Sequence, residues 1–296
     1  MKLLALLLGL LLERLATRAL HLRELRLFDG YYDVVLRCSR FGGGWLAYPI
    51  LIGALIVLTL PVWIVSGLLE RPAILWDLAY LSFAVLVVFW CLGPRDLTTE
   101  VDDYCTAMDS GDVEAAARVL LEMSESEHPD RSEIDVVEDA IFIQATNRIF
   151  GVVFWFIVLG PIGAWVFRIS DLLRRRAVFE SIRRDQSSAA ALTAIEAIYG
   201  MLKWLPARLA MLGYLFGGNF DDGWLAWRNH GPASGEPIDR RNDQLVAAVG
   251  KATMTGILEQ PRNSAAAARN SMRLVRRTLF IWGTVIAVLT IIGWSV

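Results

Sequence analysis

Four stretches of the chain, Trp45 to Leu69, Ile74 to Leu92, Ile149 to Phe167 and Leu279 to Val296, are almost free of charge and long enough to cross a lipid bilayer as helices. A span needs roughly twenty apolar residues, and inside lipid a helix satisfies its own backbone amides and carbonyls. The predicted fold class is therefore all-α, a polytopic membrane helical bundle with a small membrane-peripheral helical region. Composition agrees, with 55% of the 296 residues apolar and a mean hydropathy of +0.45. The formal net charge of -2 gives no reason to expect nucleic acid as a partner; membrane lipid is the expected one.

The first two spans are joined only by Glu70 to Ala73, where Arg71 and Pro72 make a tight hairpin turn. Trp45, Tyr48, Trp155, Trp165, Trp282 and Trp294 lie near segment ends, where they serve as interfacial anchors or pack within the bundle. We read one domain over 1–296. It comprises N-terminal and amphipathic helices (1–44), a transmembrane hairpin (45–93), a soluble acidic helical hairpin (94–146), a membrane segment (147–168), amphipathic helices and a loop (169–276), and a C-terminal transmembrane helix (277–296). Met1 to Leu12 resembles the apolar part of a signal sequence, but Glu13 and Arg14 follow directly and the cleavage pattern is poor. A retained helix packed against the other spans is expected. In the acidic hairpin Asp112 is the predicted N-cap of the second helix, and a further helix begins near Glu133. Leu192 to Phe216 could span but carries Glu196, Lys203 and Arg208 around Pro206, so a broken or surface-lying helix is expected. Gly217 to Asp239, rich in glycine and proline, reads as a loop or lid.

Orientation presents a conflict. Basic flanks belong in the cytoplasm, and they occur before the first span (Arg23, Arg26, Arg37, Arg40), after the third (Arg168, Arg174, Arg175, Arg176) and before the last (Arg269, Arg273, Arg276, Arg277). Three complete crossings would separate the first two clusters. The conflict disappears if Ile149 to Phe167, interrupted by Gly160, Pro161 and Gly163, enters the membrane and returns on the same side.

Chemical motifs are few. Gly250-Lys251-Ala252 lacks the upstream glycine and the following hydroxyl of a phosphate-binding loop and reads as a helical turn. His21, His128 and His230 stand apart from one another and from Cys38, Cys91 and Cys105, so no structural metal is predicted and the thiols are taken as unpaired. Asp221, Asp222, Glu236 and Asp243 near His230 could hold magnesium with a ligand's phosphates, or form a solvated acidic loop. The candidate ligand-binding residues are Glu13, Arg148, Arg168, Asp171, Arg208 and His230. Arg148 and Arg168 bracket the third segment and otherwise reach lipid phosphate; Asp171 follows Arg168 by one turn; Arg208 sits within an apolar stretch; Glu13, if buried, needs a partner. No catalytic residue is assigned.

Several runs together carry a resemblance over nearly the whole chain: Leu11-Leu12-Glu13-Arg14-Leu15, Gly111-Asp112, Ala145-Thr146-Asn147-Arg148, Phe154-Trp155-Phe156, Leu159-Gly160-Pro161-Ile162-Gly163-Ala164 and Trp204-Leu205-Pro206-Ala207-Arg208-Leu209. With them the chain resembles the AmpE family of bacterial inner-membrane proteins associated with β-lactamase induction and, more distantly, the CobD/CbiB membrane proteins of cobalamin synthesis. The resemblance implies a multi-pass protein of the bacterial cytoplasmic (inner) membrane, a regulator linked to cell-wall fragment metabolism, on a scaffold derived from an ATP-dependent amide-forming enzyme. The alternative it leaves is an active ligase or transferase on an anionic metabolite, for which magnesium and ATP would be the cofactors. The chain departs from the CobD/CbiB pattern where Phe142-Ile143-Gln144-Ala145 and Ser124-Glu125-Ser126-Glu127 replace motifs rich in carboxylates. The expected ligand is an anionic small molecule; the sequence does not set the oligomeric state.

Overall fold

The computed structural model describes residues 4–9, 12, 29–41, 43–69, 74–92, 96–124, 131–183, 189–230, 235–255 and 263–292. Glu13, the turn at 70–73 and the basic residues Arg23 and Arg26 lie outside the described residues. Among the described residues there are helices and no strands. After a helical stretch at 4–9 come α1 (Asp29–Phe41), α2 (Gly43–Leu69), α3 (Ile74–Cys91), α4 (Leu97–Ser110), α5 (Val113–Ser124) and α6 (Glu133–Ala145). A single π-helical turn, Thr146–Phe150, leads into α7 (Gly151–Arg183), followed by α8 (Ala189–Gly217), α9 (Phe220–Asn229), α10 (Ile238–Ala252) and α11 (Ser264–Ile291).

By length and composition, Trp45–Leu69, Glu133–Ser181 and Ser264–Ile291 could cross a membrane, and Leu75–Cys91 is a shorter apolar helix. Large apolar side chains stand exposed along α2 (Ile56, Trp63), α3 (Leu75, Leu78) and α11 (Phe280, Ile291). Hydrocarbon is the solvent that suits such faces. The protein is an all-α membrane bundle, as the sequence predicts.

The stretch 133–181 is not one rod. Gly160 takes φ 67°, ψ -153°, a conformation open essentially to glycine, and Pro161 opens the helix that follows. The two halves of α7 then run back along each other. A Cβ on Gly151 would overlap the Phe167 ring, and one on Gly163 would overlap the Trp155 carbonyl. A straight helix would hold residues 151 and 167 about 24 Å apart, at 1.5 Å per residue. The apolar part of each arm, 149–159 and 161–167, is about half as long as a bilayer crossing requires.

Around this hairpin the remaining helices form two cores. One joins residues 5 and 6, α3 to α6, the π turn, α7, α8, α10 and α11 around Phe142, Phe150, Tyr214 and Phe167. The other joins α1, α2, the returning arm of α7 and the first half of α8 around Tyr32, Leu51, Leu173 and Ile195. The acidic segment folds as predicted. Asp112 Oδ1 accepts the Ala115 amide at 3.0 Å, and Gly111 closes α4 in the left-handed conformation. Cys38, Cys91 and Cys105 are free thiols.

Of the two alternatives for Leu192 to Phe216, the broken helix is not found: α8 runs through Pro206 without interruption. Proline removes the amide that would reach the carbonyl four residues back, and here the Trp155 indole N–H donates to that carbonyl, Leu202 O, at 3.0 Å. The stretch 217–239 is not simply a loop, for it contains α9. Asn219 Oδ1 accepts the Asp221 and Asp222 amides, and these two acids complement the helix N-terminus. That local chemistry outweighs the glycine signal.

Candidate functional site

The π turn rotates residues 146–150 out of register with α6, adding a residue to one turn. Thr146, Asn147 and Arg148 are all buried there. Arg148 donates to Glu100 Oε2 on α4 at 2.7 Å and to Gln144 Oε1 at 2.9 Å. Gln144 Oε1 also accepts from Arg175 at 2.8 Å, while its amide nitrogen holds the Met123 carbonyl at 2.8 Å. Gln144 thereby links the two ends of the re-entrant segment.

On the returning arm Asp171 is completely buried, and its carboxylate accepts from Arg168 at 3.0 Å, Arg174 at 3.2 Å and Arg175 at 3.0 Å. Spacings of three and four residues put these side chains on one helix face. Arg174 continues the chain of charge to Asp239 on α10, with Nε 3.7 Å from Oδ2. Asp239 accepts from Lys203 at 3.1 Å, and Lys203, fully buried on α8, also pairs with Asp243. The Tyr199 ring lies beneath both cations, 5.1 Å from the Arg174 guanidinium and 5.4 Å from Lys203 Nζ. The Tyr199 hydroxyl donates to Asn147 Oδ1 at 3.0 Å.

One connected network thus runs through α4, α6, the π turn, α7, α8 and α10. It ties five cations to four carboxylates. Burial of a lone charge is prohibitive, so the pairing is a condition of the fold. Burial also pushes the Asp243 carboxyl up to about 6, with Lys203 opposing the shift.

Beside the network lies a cavity of about 440 Å³, within the range of roughly 300–1,000 Å³ usual for small-molecule sites. Gln144, Asn147, Arg174, Asp239 and Asp243, of the network and its neighbours, line it, together with Arg131, Asp139, Glu196, Arg240 and Gln244. Arg131 pairs with Asp139, which Lys251 reaches at 2.8 Å. Gly250-Lys251-Ala252 is a helical turn of α10, as predicted, with Gly250 against the Phe142 ring.

Of the sequence-predicted residues, Arg148, Arg168 and Asp171 meet in this network. Arg208 does not join it: half-buried on α8, it bonds the Asn242 side chain and the Trp204 carbonyl and stacks on the Trp204 ring at 4.4 Å. His230 stands exposed at the end of α9. Glu13 lies outside the described residues. Asp221 and Asp222 belong to the first turn of α9 and Asp243 to the Lys203 pair, so they do not assemble with Glu236 and His230 as a magnesium site. Among the described residues no three histidine, cysteine or carboxylate side chains converge to hold a metal. The network's own carboxylates are neutralised by cations, a donor set that does not fit magnesium. Glu100, Asn147, Arg174, Lys203 and Asp239 were not candidates from sequence. Lys203 carried a signal, since a lysine in an apolar helix needs an anion. Glu100 and Asp239 carried none.

Cobalamin biosynthesis protein CobD of Chromobacterium violaceum is 27% identical over 165 residues, 53% of this chain and 52% of the relative. Its namesake in Stutzerimonas stutzeri is 26% identical over 205 residues, 66% of this chain and 62% of the relative. The chain thus matches only about half to three fifths of the length of these curated relatives. No solved structure matches it. The family described as regulatory signalling modulator protein AmpE matches residues 1–296. A bundle with long apolar helices and a match from end to end make the chain a member of the AmpE family of regulatory signalling modulators.

Proposed function

We propose that this protein is a multi-pass regulator in the bacterial inner membrane, one that modulates β-lactamase induction by binding an anionic small molecule from cell-wall fragment metabolism. The ligand site is the cavity beside Asn147 and Arg174, on a scaffold descended from an ATP-dependent amide-forming enzyme. The observation that carries the reading is the buried network itself. It puts Arg174 in the cavity wall, where Arg131 and Arg240 add donors for an anion, while its paired carboxylates leave no set of free ones to hold a metal or move protons. With the re-entrant segment, the basic flanks and the cavity share the cytoplasmic face. Deletion in the native host is expected to alter β-lactamase induction and the pools of wall fragments, and an Arg174→Gln copy should fail to restore them. Unchanged induction and unchanged pools on deletion would end this reading.

The similarity to CobD proteins favours one alternative, an active ligase or transferase on an anionic metabolite. An increase in thermal stability with magnesium-ATP, absent from Arg208→Ala, would support it; no increase with any nucleotide would count against it.

A further inference from the structure

The cavity contains two buried hydrogen-bonding groups that the protein leaves largely unused. Asn147 is 1% exposed, and its Oδ1 is taken by Tyr199, but its Nδ2 has no partner. A buried amide donor without an acceptor costs free energy and calls for an explanation. Glu196, one helical turn before Tyr199, is buried, and its contact with a cation is to the outward-facing Arg240 at a long 3.6 Å. It is an anion with spare acceptor capacity. Both groups line the same cavity, and Tyr199 connects them, being on the Glu196 helix and bonded to Asn147.

A ligand that completes both must offer an acceptor to Asn147 and a donor, best a cation, to Glu196. We propose that the cavity takes a small zwitterion, an amino acid or short peptide whose free ammonium faces Glu196 and whose carbonyl or carboxylate oxygen receives the Asn147 amide. This rests on the cavity being the ligand site and narrows its anionic ligand to one that also carries a cation. Arg131 and Arg174 supply the charge for further carboxylates.

The test is thermal unfolding of the purified full-length protein in detergent with three probes: the dipeptide alanyl-glutamate, its N-acetylated form, and glutarate. Alanyl-glutamate is expected to raise the midpoint with dose, and N-acetylation to weaken binding about tenfold or more, the scale of one charged hydrogen bond. In Glu196→Gln the free and acetylated dipeptides should bind alike, and Asn147→Ala should weaken both. The wild-type comparison of the two dipeptides needs no variant to fold. Equal binding of acetylated and free dipeptide, or of glutarate and dipeptide, would overturn the zwitterion while leaving an anion site intact. Absence of binding by all three at millimolar concentration would overturn the zwitterion and the cavity as the ligand site together.

Discussion

Asp171 shows how much one residue can hold in a buried site. Three guanidinium groups converge on its carboxylate, and those of Arg168 and Arg174 are buried with it. Asp171→Asn keeps the shape and removes the charge, leaving the cations under-compensated; stability should fall by about 3–5 kcal/mol, the cost of breaking a buried pair. A denaturation midpoint in detergent checks it. Asp243 gives a pH dependence. Its carboxyl titrates at about 6 in the folded protein, against about 3.9 when unfolded. Between those values the folded state keeps a proton that the unfolded chain has released, so its contribution to stability, full below the lower value, is lost as pH rises through about 6. Asp243→Asn should flatten the slope of stability between pH 4 and pH 6 in such a titration. The Arg168 and Asp171 pair is legible in sequence because helical spacing alone brings the two together. Glu100 and Asp239 reach Arg148 and Arg174 across tertiary folding, and no local pattern announces such pairs.

At the scale of elements, the turn at Gly160 is the part of the fold most sensitive to a single Cβ. Gly160→Ala places a side chain at φ 67°, ψ -153°, a conformation whose strain is about 1–3 kcal/mol or more. Reduced yield of folded protein and a lower unfolding midpoint are expected, while alanine at Gly283, where a Cβ meets open space, should be tolerated. The continuity of α8 depends on Trp155 in a similar way. Trp155→Phe keeps the ring but strands the Leu202 carbonyl, at an expected cost of about 1–3 kcal/mol. Pro206 in sequence therefore signals a break, and the tryptophan that prevents it lies forty-seven residues before the Leu202 carbonyl it bonds. The acidic hairpin was legible because its caps are local, and α9 was missed because the Asn219 cap was read as part of a glycine-rich loop.

For the whole molecule, the apolar stretches made the membrane bundle evident, and the charge conflict pointed to a re-entrant segment. The site was less legible, since it forms only when α4, α7, α8 and α10 meet. If the segment returns to the side it entered, an impermeant thiol label should find a cysteine placed at Ser110, before it, and one at Asp185, after it, on the same side of the membrane. Labelling from opposite sides would contradict this topology. The folded-back α7 also bears on biogenesis. A nascent chain that has emerged only through residue 185 offers the insertion machinery an apolar run that looks like an ordinary span, while Leu202, whose carbonyl fastens Trp155, has not yet been made. The hairpin must then be gathered in after the fact by later helices, so C-terminally truncated chains should thread the membrane differently from the finished protein.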